Sequence, residues 1–489
     1  MRSYAVHVHP LGADSRDDPL IYQEDDAVFS VRVEDSMSGA YLFLSSASQE
    51  SSEVRYLRAD EPEAEATLFA PRRPGVIYSL EHHGDDFLVL TNEDALNFKL
   101  LAVPIADRAG AKSREVIAHR DEALLEHVEP FAGQLLISGR EDGLRRLWIH
   151  DLATGETRPL GFDEPIHSVW SADNREFHTA NAVIGYTSFV TPPSFFELDL
   201  GTGERTLLKR EEVVGGHDPD DYVSERVEAT VPDGACIPIS LVRRRDAPPG
   251  PRPLLLRGYG AYGISADPRF ARNALSLIDR GVTYAIAHVR GGQELGRAWY
   301  EDGKLLHKKN TFSDFIACAE TLIDAGYTTP DQLVANGGSA GGLLMGAVAN
   351  SRPDLFRAIV AEVPFVDVIR VMLDPSLPLT TGEFVEWGDP RDPAFYDYIH
   401  SYSPYDNVSD QAYPHLFITA GLEDDQVPYW QPAKWTAKLR AVKCDQNLLL
   451  LRTNLGAGHR GDSGFYEAQR EVASTYAFIL LALGLNALE

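Results

Sequence analysis

The stretch LVANGGSAGGLLMGAVAN, residues 333–350, places one serine among glycines at the junction of two apolar segments. The segment before Ser339 predicts a buried strand, and the segment after it predicts a helix. Residues 337–341, GGSAG, have the G-x-S-x-G spacing of a nucleophile elbow. In such a turn the serine backbone is strained, and a side chain two positions before or after it would collide with a neighbouring strand or helix. We therefore predict that Ser339 is an exposed nucleophile; the alternative is a tight turn that holds an incidental serine.

A serine nucleophile needs a general base, and the base needs a carboxylate that orients it. In α/β-hydrolases the acid and the histidine follow the serine in this order, after later strands of the sheet. PHLFITAGLEDDQVPYW (414–430) places Asp424 and Asp425 after a strand, and LLLLRTNLGAGHRGDSG (448–464) places His459 in a glycine-rich loop after the next. An isolated loop histidine is more often a solvated surface residue, but together the three positions favour catalysis. The spacing does not choose between the two aspartates.

An oxyanion hole needs two hydrogen-bond donors. The backbone N–H of Ala340 is one candidate. The segment RGYGAYG (257–263), which follows an earlier predicted strand, offers the second through a backbone N–H or a tyrosine hydroxyl. Taken alone, that segment would be interpreted as a turn.

The second half of the chain alternates strands and helices. VEATVPDGACIPISLV (227–242) predicts a hairpin, PLLLRGYG and VTYAIAHVRGG predict buried strands, and TFSDFIACAETLIDAG (311–326) predicts a helix with an N-cap hydroxyl and a C-terminal glycine. Alternation of this kind implies a mainly parallel sheet with helices on both faces. We expect an α/β-hydrolase domain over residues 216–489, after a polar linker near residue 215.

The first half of the chain repeats a strand–turn–strand pattern. The copies begin at residues 38, 85, 133 and 182, at intervals of 47, 48 and 49 residues. Four-stranded propeller blades recur at about this spacing, whereas a β-sandwich, the alternative, would not keep it so even. We expect a partial β-propeller of about four blades over residues 1–215. Four copies imply either a small closed ring or missing blades, which would expose an unpaired sheet edge.

Composition narrows the class of protein. The 489 residues suffice for two or three domains, and a net charge of −28 disfavours binding to nucleic acid. No apolar run spans a membrane, and the N-terminus lacks the apolar segment of a signal peptide. Three cysteines without close pairing suit a reducing compartment, so we expect the cytoplasm. No cluster has metal-ligand spacing, and we expect neither metal nor cofactor; the oligomeric state is not predicted.

Several long segments resemble the prolyl oligopeptidase family of serine peptidases, and within it the oligopeptidase B group. They include HVRGGQELGRAWYEDGKLLHKKNTF (288–312), TTGEFVEWGDP (380–390), HSYSPYDNV (400–408) and AGHRGDSG (457–464), together with the serine segment. The resemblance covers the whole chain. It implies a peptidase that cleaves short basic peptides after Arg or Lys, behind a propeller that excludes folded proteins.

The resemblance also implies roles for individual residues. Ser339 would be the nucleophile, Asp424 the acid and His459 the base. Tyr259 matches the tyrosine whose hydroxyl joins the Ala340 N–H in the oxyanion hole. Arg440 matches an arginine that holds a substrate carbonyl.

Three departures from the family pattern qualify these expectations. The family binds a basic P1 side chain with two glutamates; here Glu383 matches the first, Val385 stands at the second, and Glu386 is a poor substitute. The acidic pair that binds P2 is also halved, with Asp267 present and Arg269 in place of the second aspartate. Family members have a longer front with seven blades, so the resemblance implies that this chain is truncated at its N-terminus. Two alternatives are therefore an esterase or peptidase of other P1 preference, and an inactive interaction module.

Overall fold

The computed structural model describes residues 2–107 and 112–485. The described chain separates into two compact units. The first unit comprises Met1–Tyr186, Pro193–Glu211 and Leu295–Arg297. The second unit comprises Thr187–Pro192, Glu212–Glu294 and Ala298–Glu489.

The first unit is built from β-strands. Its chain starts with an antiparallel pair, β1 (Ala5–His7) and β2 (Leu20–Gln23), joined through a 3₁₀ turn at Ser15–Asp17. The described residues then form four sheets of four strands, in each of which strands that are consecutive in the chain lie side by side. The strands are β3 (Ser30–Asp35), β4 (Tyr41–Ala47), β5 (Ser52–Arg58) and β6 (Thr67–Ala70); β7 (Tyr78–His83), β8 (Asp86–Thr91), β9 (Lys99–Pro104) and β10 (Arg114–Ile117); β11 (Ala123–Pro130), β12 (Gln134–Glu141), β13 (Leu144–Asp151) and β14 (Thr157–Pro159); and β15 (His167–Ser171), β16 (Asn181–Ser188), β17 (Ser194–Asp199) and β18 (Arg205–Arg210).

These sheets confirm the predicted all-β propeller architecture, and each of the four sequence repeats lies in a separate sheet. Each sequence repeat corresponds to the second and third strands of one sheet, for example β4 with β5 and β12 with β13. Three apolar clusters each join residues of two successive sheets. The first contains Phe43 and Phe87, the second Leu88 and Leu135, and the third Leu147 and Ile184. Burial between adjacent sheets therefore stabilises the blades.

The second unit is an α/β domain around one eight-stranded sheet. Its strands are β19 (Tyr222–Thr230), β20 (Cys236–Arg244), β21 (Leu254–Arg257), β22 (Thr283–Ala287), β23 (Leu333–Gly338), β24 (Ala358–Glu362), β25 (His415–Gly421) and β26 (Leu449–Asn454). Their spatial order is β19-β20-β22-β21-β23-β24-β25-β26. The pairs β19–β20 and β20–β22 are antiparallel, and the remaining pairs are parallel.

The connections of this domain are largely helical. Its α-helices are α1 (Leu275–Ile278), α2 (Arg297–Glu301), α3 (Lys309–Asp324), α4 (Ala340–Ser351), α5 (Val368–Met372), α6 (Phe384–Trp387), α7 (Pro393–His400), α8 (Trp430–Val442) and α9 (Phe465–Ala482). Short 3₁₀ helices lie at Pro219–Asp221, Arg272–Ala274, Leu305–His307, Pro330–Gln332, Pro353–Leu355 and Thr380–Glu383. The predicted α/β-hydrolase architecture is confirmed.

Helices cover both faces of the central strands. On one face Leu256 and Ala335 belong to a large buried cluster that also contains Phe315 of α3, Leu344 of α4 and Trp435 of α8. On the other face α9 packs on β25, where the rings of Phe417 and Phe478 stack with centroids 5.3 Å apart. Because both faces are covered, the inner strands are continuous apolar runs.

One local prediction about α3 is wrong. The helix begins at Lys309, and its N-cap residue, Lys308, makes no side-chain capping bond. The Thr311 hydroxyl instead donates to the carbonyl of Arg290, at 2.7 Å. The predicted C-terminal glycine is present: Gly326 has a φ of +75°, in the left-handed region that favours glycine, and its N–H donates to Ile323 O.

Candidate active site

The loops that carry the predicted site residues leave the same edge of the sheet. Tyr259 follows β21, Ser339 follows β23, Asp424 follows β25 and His459 follows β26. These four strands run parallel, so their carboxyl ends lie together. Ligand and catalytic groups of open α/β sheets lie at this edge.

Ser339 occupies a sharp turn between β23 and α4. Its φ of 57° and ψ of −118° form a strained backbone conformation for a residue with a side chain. The turn is fixed from β24, because the Ser339 N–H donates to the carbonyl of Glu362 at 2.8 Å. The sequence folds this way because a buried apolar strand runs directly into a helix that starts at Ala340.

Two glycines of the motif are required by close backbone contacts. A Cβ at Gly337 would lie 2.4 Å from Gly341 O, and a Cβ at Gly341 would lie 2.8 Å from Gly258 O. At Gly338 the nearest atom would be 3.6 Å away, an ordinary contact. The outer glycines therefore let the elbow pack against the loop after β21.

The side chains of Ser339, His459 and Asp424 form a hydrogen-bonded chain. His459 Nε2 lies 3.0 Å from Ser339 Oγ, and His459 Nδ1 lies 2.8 Å from Asp424 Oδ2. The second oxygen of Asp424 accepts from the N–H groups of Gln426 and Val427, at 2.9 and 2.8 Å. The Asp424 side chain is completely buried, whereas Asp425 is exposed. Of the two aspartates that spacing left open, Asp424 is thus the one bonded to His459.

Two donors lie beside Ser339. Ala340 is the first residue of α4, so its N–H has no acceptor within the helix and carries the positive end of the helix dipole. Burial and the nearby Glu386 carboxylate raise the pKa of Tyr259 to about 12, while a hydrogen bond with the Ser339 side chain opposes the shift. The Tyr259 hydroxyl is therefore protonated at neutral pH and able to donate.

A cavity of about 270 Å³ opens beside the serine. Its walls are mainly apolar, and Tyr259, Tyr262, Ser339 and Glu383 also line it. Burial raises the pKa of Glu383 to about 7, against the hydrogen bonds it accepts from Trp387 and Tyr262. The Trp387 Nε1–Glu383 Oε2 distance is 3.0 Å. The cavity thus presents the Glu383 carboxyl group in largely apolar surroundings, and the exposed Asp425 adds a second carboxyl group to its lining.

Neither neighbour of Glu383 adds a second carboxylate to this cavity. Val385 is half-buried in α6 and is not among the described residues that line the cavity. Glu386 is completely buried, accepts a hydrogen bond from Tyr300 at 2.8 Å and lies 3.5 Å from Lys308 Nζ. Because Glu386 is already paired with Lys308, it does not replace the second glutamate of the family pattern.

The comparisons with known proteins agree with both domains. Residues 2–211 match the family model "Prolyl oligopeptidase, N-terminal beta-propeller domain", and residues 268–486 match "Prolyl oligopeptidase family". Protease 2 of Moraxella lacunata is 46% identical over 483 residues, which are 98% of this chain and 69% of that protein. Dipeptidyl aminopeptidase BI of Pseudoxanthomonas mexicana is 44% identical over 485 residues, 99% of this chain and 67% of that protein.

The chain belongs to the prolyl oligopeptidase family. Two solved structures of the family are similar along nearly all of this chain. Oligopeptidase B from Leishmania major matches with a TM-score of 0.95 at 41% identity, covering 99% of this chain and 70% of its own. Oligopeptidase B from Trypanosoma brucei with covalently bound antipain matches with a TM-score of 0.94 at 44% identity, covering 100% and 70%. The protein is accordingly a hydrolase of this serine peptidase family, similar to protease 2 and oligopeptidase B.

Two other residues predicted to bind substrate, Asp267 and Arg440, are not among the described residues that line the cavity beside Ser339. Asp267 is buried and paired with Arg269, at 3.2 Å, so its charge is already compensated. Arg440 lies exposed in the last turn of α8. A helix between parallel strands returns the chain to the amino edge of the sheet, so Arg440 lies at the end away from Ser339. We correct the assignment of Arg440 as a substrate-binding residue.

The sequence interpretation missed part of the cavity wall. Tyr262 lies in the quoted RGYGAYG segment but was not singled out; its φ of 60° is unusual for a residue with a side chain. Trp387, which bonds Glu383, lies in the quoted TTGEFVEWGDP segment. The apolar wall comes from distant segments and has no local signal; it consists of Ile264, Phe365, Val371, Leu377, Pro378, Leu379, Val427 and Pro428.

Within residues 2–107 and 112–485, no group of three or more His, Cys, Asp or Glu side chains lies close enough to hold a metal ion. Among the helices in that part of the chain, none is long and apolar enough to cross a membrane.

Proposed function

We propose that this family member is an oligopeptidase that cleaves short peptides after Arg or Lys through an acyl-enzyme on Ser339. The observation that carries the proposal is the continuous chain from Ser339 Oγ through both nitrogens of His459 to Asp424, with distances of 3.0 and 2.8 Å. This spacing is within the reach needed for proton transfer from a serine to a general base.

The acylation step uses each member of this chain. His459 Nε2 accepts the proton of Ser339 Oγ as the oxygen attacks the scissile carbonyl carbon. Asp424 holds the Nδ1–H and stabilises the imidazolium that forms. The carbonyl oxygen becomes an oxyanion, which accepts hydrogen bonds from the Tyr259 hydroxyl and the Ala340 N–H. His459 then gives its proton to the leaving amine as the C–N bond breaks.

Deacylation repeats the sequence with water. His459 removes a proton from the water, the hydroxide attacks the acyl carbon, and the same donors hold the second oxyanion. The ester bond to Ser339 Oγ breaks, the proton returns to that oxygen, and the carboxylic acid product leaves.

Glu383 supports the preference for a basic P1 side chain. It is a carboxyl group in the cavity that also contains Ser339, so a guanidinium or ammonium group bound there would pair with it. One charge-assisted hydrogen bond contributes about 1.5–3 kcal/mol. With Val385 at the second position we expect basic P1 selectivity mainly from Glu383, because the other carboxyl group of the lining, Asp425, is exposed to solvent. With Asp267 paired to Arg269 we expect little selectivity at P2.

A second candidate function is hydrolysis of esters or of peptides with an apolar P1 residue. The apolar cavity wall favours it, because such a wall stabilises an aliphatic or aromatic side chain through burial. The third possibility, an interaction module without activity, requires that the hydrogen-bonded triad be unused.

Three fluorogenic reporters separate these functions: one ends in Arg-Arg, one in Gly-Pro, and one is a short acyl ester. We expect turnover of the Arg-Arg reporter to disappear in Ser339→Ala. In Glu383→Gln it should fall about 10- to 100-fold, because one charge-assisted hydrogen bond is lost. Ester turnover alone would favour the second candidate. No turnover by a protein with a cooperative melt would overturn the proposal in favour of the interaction module.

A cytoplasmic location stays a prediction, to be tested by fractionation of the producing cells.

A further inference from the structure

Lys308 is a buried cation that the reaction scheme does not use. Its side chain is 1% exposed, and its Nζ lies 2.5 Å from Gly260 O and 3.5 Å from Glu386 Oε1. The same Nζ lies 4.8 Å from the centre of the Trp387 ring. A buried ammonium is costly unless it is paired, so these contacts define one orientation of the side chain.

The contact with Gly260 fixes the loop that carries Tyr259. Gly260 follows Tyr259 directly and has a φ of +75°. Its carbonyl oxygen also lies 3.3 Å from the Thr311 hydroxyl, whose single proton is shared with the nearer carbonyl of Arg290 at 2.7 Å. A Cβ at Gly260 would lie 2.3 Å from Thr311 Cγ2, so the loop is pressed against α3. The Gly260–Ala261 peptide, one residue beyond Tyr259, is therefore held by Lys308 and packs against Thr311 of α3.

The contact with Glu386 connects the same cation to the wall of the cavity. Glu386 lies in α6 beside Trp387, whose Nε1 donates to Glu383 at 3.0 Å. The second oxygen of Glu386 accepts from Tyr300 at 2.8 Å, so the carboxylate is fixed independently of the lysine. Lys308 thus lies between the Tyr259 loop and α6, which carry two different parts of the site.

We infer that Lys308 is a positioning residue, which sets the place of the Tyr259 hydroxyl relative to Ser339 by holding the carbonyl of Gly260. The inference rests on the proposed function, because it requires Tyr259 to donate to the oxyanion. Without the Nζ–Gly260 bond, the Gly260 carbonyl keeps only its longer contact with Thr311, and the nearest backbone hydrogen bonds that hold the loop are those of Gly258 and Gly263. A donor displaced by about 1 Å loses much of its effect on rate.

The experiment removes this bond without leaving a lone buried charge. Lys308→Met/Glu386→Gln replaces both charges by neutral side chains. Glu386→Gln alone is the control that keeps Lys308 and its bond to Gly260; because it leaves the ammonium without its carboxylate, its thermal unfolding is compared with that of the wild type and of the double variant. Both are measured with the Arg-Arg reporter in the Tyr259 background and in the Tyr259→Phe background. Each variant is also followed by thermal unfolding.

In the Tyr259 background we expect kcat of Lys308→Met/Glu386→Gln to lie about ten- to a hundredfold below that of Glu386→Gln. In the Tyr259→Phe background we expect a difference of less than about threefold, because the donor that Lys308 positions is gone. KM would change less than kcat in the Tyr259 background, since the oxyanion forms only during reaction.

Other outcomes overturn the inference. Equal losses in the two backgrounds would assign Lys308 to general stability, as would loss of the cooperative melt in Lys308→Met/Glu386→Gln. If Tyr259→Phe itself costs nothing, the oxyanion assignment of the proposed function fails as well. If Tyr259→Phe is costly and the losses are merely additive, only the positioning role fails.

Discussion

At the scale of single residues, the ionisation of Glu383 should control selectivity. Burial raises the pKa of this carboxyl to about 7, so it is protonated below that pH and ionised above it. A cationic P1 side chain binds the ionised form, and protons therefore compete with it. We predict that the ratio of kcat/KM for an Arg reporter to kcat/KM for a reporter with a neutral P1 rises about tenfold per pH unit below pH 7 and is level above it.

The ratio isolates Glu383, because protonation of the triad affects both reporters equally. Glu383→Gln has no carboxyl to titrate, and its ratio should be low and independent of pH. A wild-type ratio that stays constant from pH 5 to pH 8 would show that P1 recognition does not use this group.

A second prediction at this scale concerns the effect on kcat of substituting the glycines around Ser339. In Gly341→Ala the new methyl group would meet Gly258 O at 2.8 Å, so the elbow or the Tyr259 loop must shift. We expect kcat to fall at least tenfold, since both segments place reacting groups. In Gly338→Ala the nearest atom is 3.6 Å away, and the loss should be much smaller. Steady-state kinetics of the two variants compare them directly; equal losses would contradict the steric account.

At the scale of secondary-structure elements, Arg290 ties three segments of the hydrolase domain together. Two of its nitrogens bond the completely buried Asp314 of α3, at 2.9 and 2.7 Å, and a third bonds Asp233 in the β19–β20 turn, at 2.7 Å. Asp314→Asn would leave the guanidinium without its buried counter-charge. We predict a loss of about 3–5 kcal/mol in the free energy of unfolding.

Denaturant unfolding of Asp314→Asn measures this loss, with Asp246→Asn as the control. Asp246 pairs with Arg244 at 3.0 Å, but its side chain is mostly exposed, and such pairs contribute little. Similar unfolding midpoints for the two variants would argue against a stabilising role for the buried network.

The sequence predicted the inner strands better than the outer ones. Strands such as β12 and β23 carry buried apolar residues, which produce a readable pattern. The fourth strands of the first three blades, β6, β10 and β14, are three or four residues long with no fully buried residue, so no pattern marked them. The predicted N-cap of α3 was wrong because the Thr311 hydroxyl bonds the carbonyl of Arg290, a tertiary contact without local signal.

The same limit applies to the site. Ser339 and His459 were predictable from their places after strands, and the acid was predictable only as Asp424 or Asp425 until the family resemblance favoured Asp424. The structure brings Ser339, His459 and Asp424 together. The cavity wall was not predictable, because residues such as Phe365 and Leu377 line it only after the chain has folded. Arg440 was misplaced because sequence position alone does not tell which end of α8 faces the site.

At the scale of the whole molecule, the net charge of −28 should steer cationic peptides toward the protein. We predict that kcat/KM for the Arg-Arg reporter falls as NaCl is raised from about 0.01 to 0.3 M, over which the screening length shrinks severalfold. The uncharged ester reporter should change far less. Equal salt dependence for both would contradict electrostatic steering.

The arrangement of domains also belongs to this scale. The chain spans 69% of Protease 2 from Moraxella lacunata and matches both the propeller and the peptidase parts of the family. We propose a boundary at residue 215, between domains of residues 1–215 and 216–489. Limited proteolysis with mass spectrometry of the fragments tests it, and stable fragments cut well away from residue 215 would contradict it.

The most direct test of a Ser339 peptidase that cleaves after basic residues uses one internally quenched peptide with a single Arg. The products formed by the wild-type protein and by Ser339→Ala are identified by mass spectrometry. We expect one cut, on the carboxyl side of the Arg, by the wild-type protein and none by the variant. A cut at another bond would contradict the predicted P1 preference, and unchanged cleavage by Ser339→Ala would contradict the catalytic mechanism itself.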